Sequence, residues 1–160
     1  MMEVLLDGKF LAIVGVVIVS VLCGAGSAKG VGLVGEASAG LVSEKPDRFV
    51  QTLILQVLPG TQGIYGLLVA FMVLNQIGML GGGDVEVSTL KGFMYLAACL
   101  PMAFVGYISA RAQGKAAAGG VGIVANRPEE LLKGIIFAAM VETYAVLALL
   151  ITLLMIIFIK

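Results

Sequence analysis

Residues 135–159 read IIFAAMVETYAVLALLITLLMIIFI and contain one charged side chain, that of Glu142. A helix needs about 20 apolar residues to cross a bilayer, so this stretch is predicted to be a transmembrane helix. A carboxylate in the middle of such a helix is costly, and ionisable groups at that depth mark ion and proton pathways. Glu142 is therefore the first candidate for a functional residue.

The composition extends the membrane prediction to the whole chain. Its 160 residues are 60% hydrophobic and only 12% charged, whereas soluble domains contain about 25% charged residues. Four segments are apolar and long enough to span, at roughly 10–42, 48–80, 88–124 and 131–159. We therefore expect an all-α membrane protein with four transmembrane helices and little room for a soluble domain.

Several other classes of protein are excluded by the same counts. Ten basic residues balance ten acidic ones, so no basic tail points to nucleic acid. The chain has no histidine, and Cys23 and Cys99 both lie in predicted helices, which excludes a histidine site and argues against a disulfide framework. Two acids precede the first base, unlike a signal peptide, so the first helix is expected to remain in the protein.

Two similar loops reveal an internal repeat. K-P-D (45–47) and R-P-E (127–129) place their prolines 82 residues apart. The same offset aligns Ser27 with Ser109, Lys29 with Arg111, Gly32 with Gly114, Gly40 with Gly122 and Thr61 with Thr143. The chain is therefore predicted to be a duplicated helical hairpin, with the first hairpin at 1–82, the second at 83–160, and both running in the same direction through the membrane.

Small residues follow the repeat. In the third segment they recur every fourth residue, at Gly106, Ala110, Gly114, Ala118 and Gly122, and the equivalents in the first are Gly24, Ala28, Gly32, Glu36 and Gly40. Such stripes allow membrane helices to approach closely, either as ordinary bundle packing or as the crowded inner layer of a closed ring. GVGLVG (30–35) matches a nucleotide fingerprint, but it lies inside a predicted membrane helix, where that motif does not work.

The basic residues predict the orientation. Lys45, Arg48, Arg127 and Lys133 flank the two proline loops, whereas the loop between the second and third helices is acidic until Lys91. Because basic loops remain in the cytoplasm, the proline loops are expected to be cytoplasmic and both termini to lie outside. The protein is accordingly predicted to be a multi-pass protein of the plasma membrane.

Polar side chains on three helices share the depth of Glu142. That residue follows Pro128 by 14 positions, or about 21 Å of helix. Gln113 precedes Pro128 by 15 positions, and Thr61 and Gln62 follow Pro46 by 15 and 16. Several oxygens with one charge suit a hard monovalent cation, so Na⁺ is favoured. A bound proton and a purely structural hydrogen-bond network remain as alternatives.

Two further residues bear on the site. Pro59 lies at the same depth, has no N–H and disturbs the preceding helical turn, which can turn backbone carbonyls towards an ion. Glu36, the other deep carboxylate, lies only about 15 Å from its loop, and we interpret it as a paired or hydrated charge near the cytoplasmic rim. The repeat aligns Glu142 with Gly60, so the first hairpin has no acid at this level.

Three motifs together resemble a known family. LPGTQGIYG (58–66), AQGK (112–115) and GIIFAAMVETYA (134–145) are similar to the K subunit, or proteolipid, of bacterial sodium-transporting V-type ATPases, and the likeness covers nearly the whole chain. The resemblance implies a ring of identical subunits that turns in the membrane lipid against a stator a-type subunit with a basic residue. Central-stalk subunits would contact the cytoplasmic loops, and ATP would be hydrolysed by other subunits, so this chain would not be an enzyme by itself.

The resemblance also implies a role for each site residue. Glu142 would supply the charged Na⁺ ligand, and Tyr65 would donate a hydrogen bond to it and hold the occupied site shut. The neutral ligands would be the side chains of Thr61, Gln62 and Gln113 and the backbone carbonyl of Leu58. The alternatives are the same rotor carrying H⁺, a small four-helix cation or multidrug transporter, or a scaffold without ion coupling.

Overall fold

The computed structural model describes residues 7–81 and 85–159 and is entirely helical over these ranges, apart from the turns and loops that join the helices. The α-helices are α1 (Gly8–Glu44), α2 (Phe49–Val57), α3 (Thr61–Gln76), α4 (Thr89–Asn126) and α5 (Leu131–Phe158). Short 3₁₀ turns lie at Pro46–Arg48, Leu58–Gly60 and Pro128–Glu130. The predicted all-α class is confirmed.

Four of these units are long and apolar enough to cross a membrane: α1, Pro46–Gln76, α4 and Pro128–Phe158. We call them the first to fourth spans. Their outward faces carry large exposed apolar side chains, such as Leu67, Phe71, Phe137 and Leu147. Such a surface suits lipid rather than water, and the four predicted segments are thus confirmed. The predicted division between residues 82 and 83 lies outside the described residues.

The helix ends follow local signals. The side chains of Asp7 and Ser88 accept hydrogen bonds from the backbone N–H groups of Phe10 and Lys91, and so cap α1 and α4. The second segment was expected to run to residue 80, but α3 ends at Gln76. Gly78 stops it by adopting φ 80°, a left-handed conformation that glycine adopts without steric cost.

The first and third spans form the central pair of the bundle. The second span packs mainly against α1, and α5 packs against α4. Glycines allow the closest approach: a Cβ added to Gly114 would lie 2.5 Å from the Cα of Gly30, and one added to Gly30 would lie 2.5 Å from the carbonyl oxygen of Ala110. A methyl group has no room at either position, so both glycines are required by the packing.

The small-residue stripe only partly matches this contact. On α4, Gly106 and Gly114 pack against α1. On α1, however, the contact is made by Gly26 and Gly30, whereas a Cβ on Gly24, Gly32 or Gly40 would meet no atom within 4 Å. The stripe expected on α1 therefore faces away from α4 of the same chain and is open to a neighbour.

A polar layer divides the core into two apolar clusters. One cluster contains Cys23, Val69, Ala103 and Ala145, and the other contains Val34, Leu55, Ala117 and Ala138. Each span contributes one of these residues to each cluster, and the polar layer crosses the span between the two. That layer holds the buried polar side chains Ser27, Gln62, Ser109 and Gln113. Burying polar groups is costly unless they are hydrogen-bonded, so a polar layer inside an apolar core is a candidate functional site.

Candidate functional site

A break in the second span exposes oxygen atoms to the polar layer. The helix is interrupted by the 3₁₀ turn Leu58–Gly60 and resumes at Thr61, because Pro59 cannot donate a backbone hydrogen bond. The hydroxyl of Thr61 lies 3.1 Å from the Leu58 carbonyl oxygen and 3.3 Å from Gln62 Oε1. A hydroxyl has a single hydrogen, so these two acceptors share one donor and the group has more acceptors than protons.

The carboxylate of Glu142 receives two hydrogen bonds from neighbouring spans. Tyr65 Oη donates to its Oε1 at 2.6 Å, and Gln113 Nε2 donates to its Oε2 at 3.1 Å. Each oxygen of the carboxyl group therefore accepts one hydrogen bond, one from the second span and one from the third. The salt bridges Arg48–Asp47 and Lys133–Glu130 do not involve Glu142.

Two fully buried glutamines connect the second span with the fourth. Gln62 and Gln113 are both 0% exposed, and Gln62 Nε2 donates to Gln113 Oε1 at 2.5 Å. Through Gln113, this amide pair is linked to the Glu142 carboxylate. The result is a continuous network from the Leu58 carbonyl to Glu142, which crosses three spans at one level of the membrane.

The network reaches the outer surface of the bundle at Glu142. This residue is half-buried, and it lines a shallow apolar groove on α5 with Ala139, Thr143, Val146 and Leu147. Its carboxyl group therefore joins a polar interior to a surface suited to lipid. A charge in that position is costly unless it is neutralised.

The structure brings the sequence-predicted site residues together. Thr61, Gln62, Gln113 and Tyr65 all belong to the network around Glu142, and Leu58 joins it through Thr61 rather than by direct contact with the carboxylate. Glu36 is exposed on α1 and takes no part in these hydrogen bonds.

The sequence reasoning missed Ser109 as a member of this network. Its side chain is buried and contacts both Gln62 and the backbone of Val141. The available signal was its alignment with Ser27 in the repeat, because the two hydroxyls stand at the same position of an otherwise apolar helix face.

Comparison with known proteins gives two consistent findings. The family model for the ATP synthase C subunit matches the chain twice, over residues 14–73 and 96–155. The two matches begin 82 residues apart, since 96 − 14 = 82. The V-type sodium ATPase K subunit of Enterococcus hirae is 47% identical over 149 residues, covering 93% of this chain and 92% of that protein.

More distant relatives belong to the same group. The A-type ATP synthase K subunit of Methanocaldococcus jannaschii is 34% identical over 96% of this chain and 64% of its own length. The V-type proton ATPase 16 kDa proteolipid subunit of Chrysotila carterae is 31% identical over 57% of this chain and 56% of its own length. These matches confirm the resemblance drawn from the motifs.

Members of the matched family form rings in the membrane and act as rotor subunits, which are not catalytic by themselves. The two family-model matches together with the similarity over nearly the whole chain decide the assignment. The chain thus belongs to the family of the ATP synthase C subunit, as a rotor proteolipid of an ion-pumping ATPase.

Proposed function

We propose that this rotor subunit binds and carries Na⁺ at the Glu142 network. The observation that carries the proposal is the surplus of acceptors: the Glu142 carboxylate accepts from two donors, while Leu58 and Gln62 oxygens share the single proton of Thr61. A group of oxygens with one negative charge is complementary to a hard monovalent cation. The relative that is 47% identical is the K subunit of a sodium ATPase, which supports Na⁺ as the ion here.

The ligands proposed for Na⁺ lie on three spans. Glu142 supplies the charge, and the neutral oxygens come from the side chains of Thr61, Gln62 and Gln113 and from the backbone carbonyl of Leu58. Tyr65 holds the carboxylate in place. A bound proton is the second candidate, but it requires one acceptor only, whereas the network supplies several oxygens from three spans. The rotor assignment also excludes the small multidrug transporter considered from the sequence.

Charge neutralisation explains how the ion is carried. An ionised carboxylate at mid-membrane costs about 2.5–3.5 kcal/mol on insertion scales, and Glu142 opens onto an apolar surface. Na⁺ cancels the charge, so an occupied copy can face lipid. An empty copy stays beside the stator a-type subunit, where a basic residue compensates the carboxylate. Rotation therefore requires each copy to load or release its ion at the stator.

The cytoplasmic proline loops are the proposed contact with the central stalk. Lys45 Nζ donates to the Ala125 carbonyl oxygen at 2.7 Å, and thereby joins the first loop to the C-terminal end of α4. The link holds the two loops of one copy together, as a surface that transmits torque requires. With these loops in the cytoplasm, both termini lie outside the plasma membrane.

A carboxyl-reactive carbodiimide tests the ion assignment on the purified ring. We expect it to label Glu142, because this carboxyl is accessible from the apolar groove, and we expect added Na⁺ to slow the labelling at fixed pH. Mass spectrometry identifies the labelled residue and gives the rate. A Na⁺ titration against K⁺ at equal ionic strength separates ion binding from a general salt effect.

The opposite outcome is as informative for the ion. Labelling that responds to acidification and not to Na⁺ would favour a proton carrier on the same carboxylate. Labelling at Glu36 instead of Glu142 would contradict the assignment, because it would place the reactive carboxyl on the first span rather than the fourth.

Tyr65→Phe is expected to weaken Na⁺ retention without abolishing binding. The variant loses the 2.6 Å hydrogen bond to Glu142, and a bond to a charged group contributes about 1.5–3 kcal/mol. Release of ²²Na⁺ from the loaded ring should therefore become at least about tenfold faster. Tyr144→Phe is the matched control, because Tyr144 is 66% exposed on the same helix as Glu142. Equal release rates for the two variants would remove Tyr65 from the site.

A further inference from the structure

Ser109 occupies a central position between the two ends of the network. Its side chain is 4% exposed, on α4. Its hydroxyl donates to the Val141 carbonyl oxygen at 3.1 Å, next to Glu142, and accepts from Gln62 Nε2 at 3.4 Å. Ser109 therefore contacts the second and fourth spans at once, although its own oxygen is not among the proposed Na⁺ ligands.

The direction of these hydrogen bonds determines the orientation of the Gln62 amide. The single hydroxyl hydrogen of Ser109 is used by Val141, so only lone pairs of its oxygen face Gln62. Lone pairs accept hydrogen bonds, and only the NH₂ end of the Gln62 amide can donate one. The second N–H of this group is directed to Gln113. Gln62 Oε1 is thereby left on the side of Thr61 and the Leu58 carbonyl.

We propose that Ser109 is a positioning residue that fixes the Gln62 amide with its oxygen towards the cation. The inference rests on the proposed Na⁺ site and deepens it. Without the Ser109 hydroxyl, the NH₂ group of Gln62 loses one of its two acceptors. The reversed orientation, with the amide oxygen towards residue 109, then no longer places two acceptor oxygens against each other. A reversed amide would present N–H groups to a cation, which repels them.

The repeat provides an internal comparison. Ser27, the equivalent of Ser109, is also buried, at 7% exposure. Its hydroxyl accepts from the backbone N–H of Gly63 at 2.8 Å. The first hairpin has Gly60 in place of Glu142. A serine at this position thus binds backbone in both hairpins, and Ser109 adds an amide that belongs to the ion network.

The test compares Na⁺ affinity with proton affinity in the assembled ring. In Ser109→Ala, we expect Na⁺ protection of Glu142 against the carbodiimide to need roughly tenfold more Na⁺, equivalent to about 1.4 kcal/mol. The pH midpoint of labelling without Na⁺ should stay unchanged, because a proton needs only the carboxylate. Thr152→Val is the control: Thr152 is equally buried and accepts from the backbone N–H of Met102, away from the network.

Each result has a defined reading. A shift in both Na⁺ protection and the pH midpoint would show a general distortion and overturn the proposal, and so would a Na⁺ shift equal to that of Thr152→Val. If Ser109→Ala does not assemble, Ser109→Cys replaces it, since a thiol fills the position but is a weak acceptor. Failure of both to assemble would make Ser109 structural and overturn the positioning role. Absence of Na⁺ protection in the unmodified ring would instead refute the Na⁺ site itself.

Discussion

Glu142→Gln is expected to abolish Na⁺ binding and ion transport while the ring still assembles. The substitution keeps the size and an acceptor oxygen for the Tyr65 hydroxyl. It removes the charge, and it replaces the oxygen that accepts from Gln113 by an NH₂ group. Loss of the charged partner from a buried ion pair costs about 3–5 kcal/mol, so Na⁺ affinity should fall by more than about 100-fold. Equilibrium binding of ²²Na⁺ to the purified ring measures the loss directly.

Glu36→Gln is the control for this substitution. Glu36 is the other carboxylate deep in a span, but it is exposed on α1 and lies outside the hydrogen-bond network. We expect the Glu36 variant to bind Na⁺ as the unmodified ring does. Normal Na⁺ binding by Glu142→Gln, or equal losses in both variants, would contradict the assignment of the site.

Gly114→Leu is expected to prevent the subunit from folding. Even a single Cβ at this position would lie 2.5 Å from the Cα of Gly30, and the atom it meets is backbone, which cannot rotate away. Overpacking a core with flexible neighbours already costs about 1–3 kcal/mol. The helices α1 and α4 would have to separate over much of their contact. We expect little or no assembled ring, measured by its yield from membranes and by thermal unfolding in detergent.

Gly119→Leu is the matched comparison on the same helix. It adds the same side chain five residues further along, where a new Cβ would meet no atom within 4 Å in the subunit. We expect this variant to be recovered in the membrane with near-normal stability. Comparable yields of the two variants would mean that the close approach of α1 and α4 does not limit folding.

Much of the fold follows from short-range physical rules. Apolar length predicts four spans, and the proline loops with their offset predict two hairpins, because each feature depends on a few neighbouring residues. The predicted end of the second span, at about residue 80, lies beyond the observed end at Gln76, because the prediction used apolar length alone. Apolar residues continue to Leu80, and hydrophobicity alone does not reveal that Gly78 adopts a left-handed conformation.

The packing of α1 depends on information that one chain does not contain. The repeat aligns Gly32 with Gly114, yet Gly114 packs against Gly30 while Gly32 remains open. A helix in a ring of duplicated hairpins has two neighbours, one in its own chain and one in the next. By the repeat symmetry, the face of α1 that contains Gly32 is the face expected to meet α4 of the adjacent copy. Spacing identifies such a face but not its partner.

The candidate site shows the same limit. Depth counted along the helices correctly brought Glu142, Gln62 and Gln113 to one level, because the rise per residue is fixed. The direction of each hydrogen bond is not encoded in depth. Depth alone therefore does not identify Ser109 as a member of the network, because its role depends on its contacts with Gln62 and Val141.

In the proposed mechanism, the absence of a carboxylate at Gly60 determines how many ions the ring moves per turn. Each copy has two hairpins but one acid at this level, so a full turn of the ring moves half as many ions as it would with an acid in both. The free energy of ATP is then divided among half as many charges. Since one charge moved across 100 mV takes about 2.3 kcal/mol, each ion can be driven against about twice the membrane voltage. A ring with a single acid in each copy therefore moves fewer ions per turn, but it can move each ion against a larger voltage.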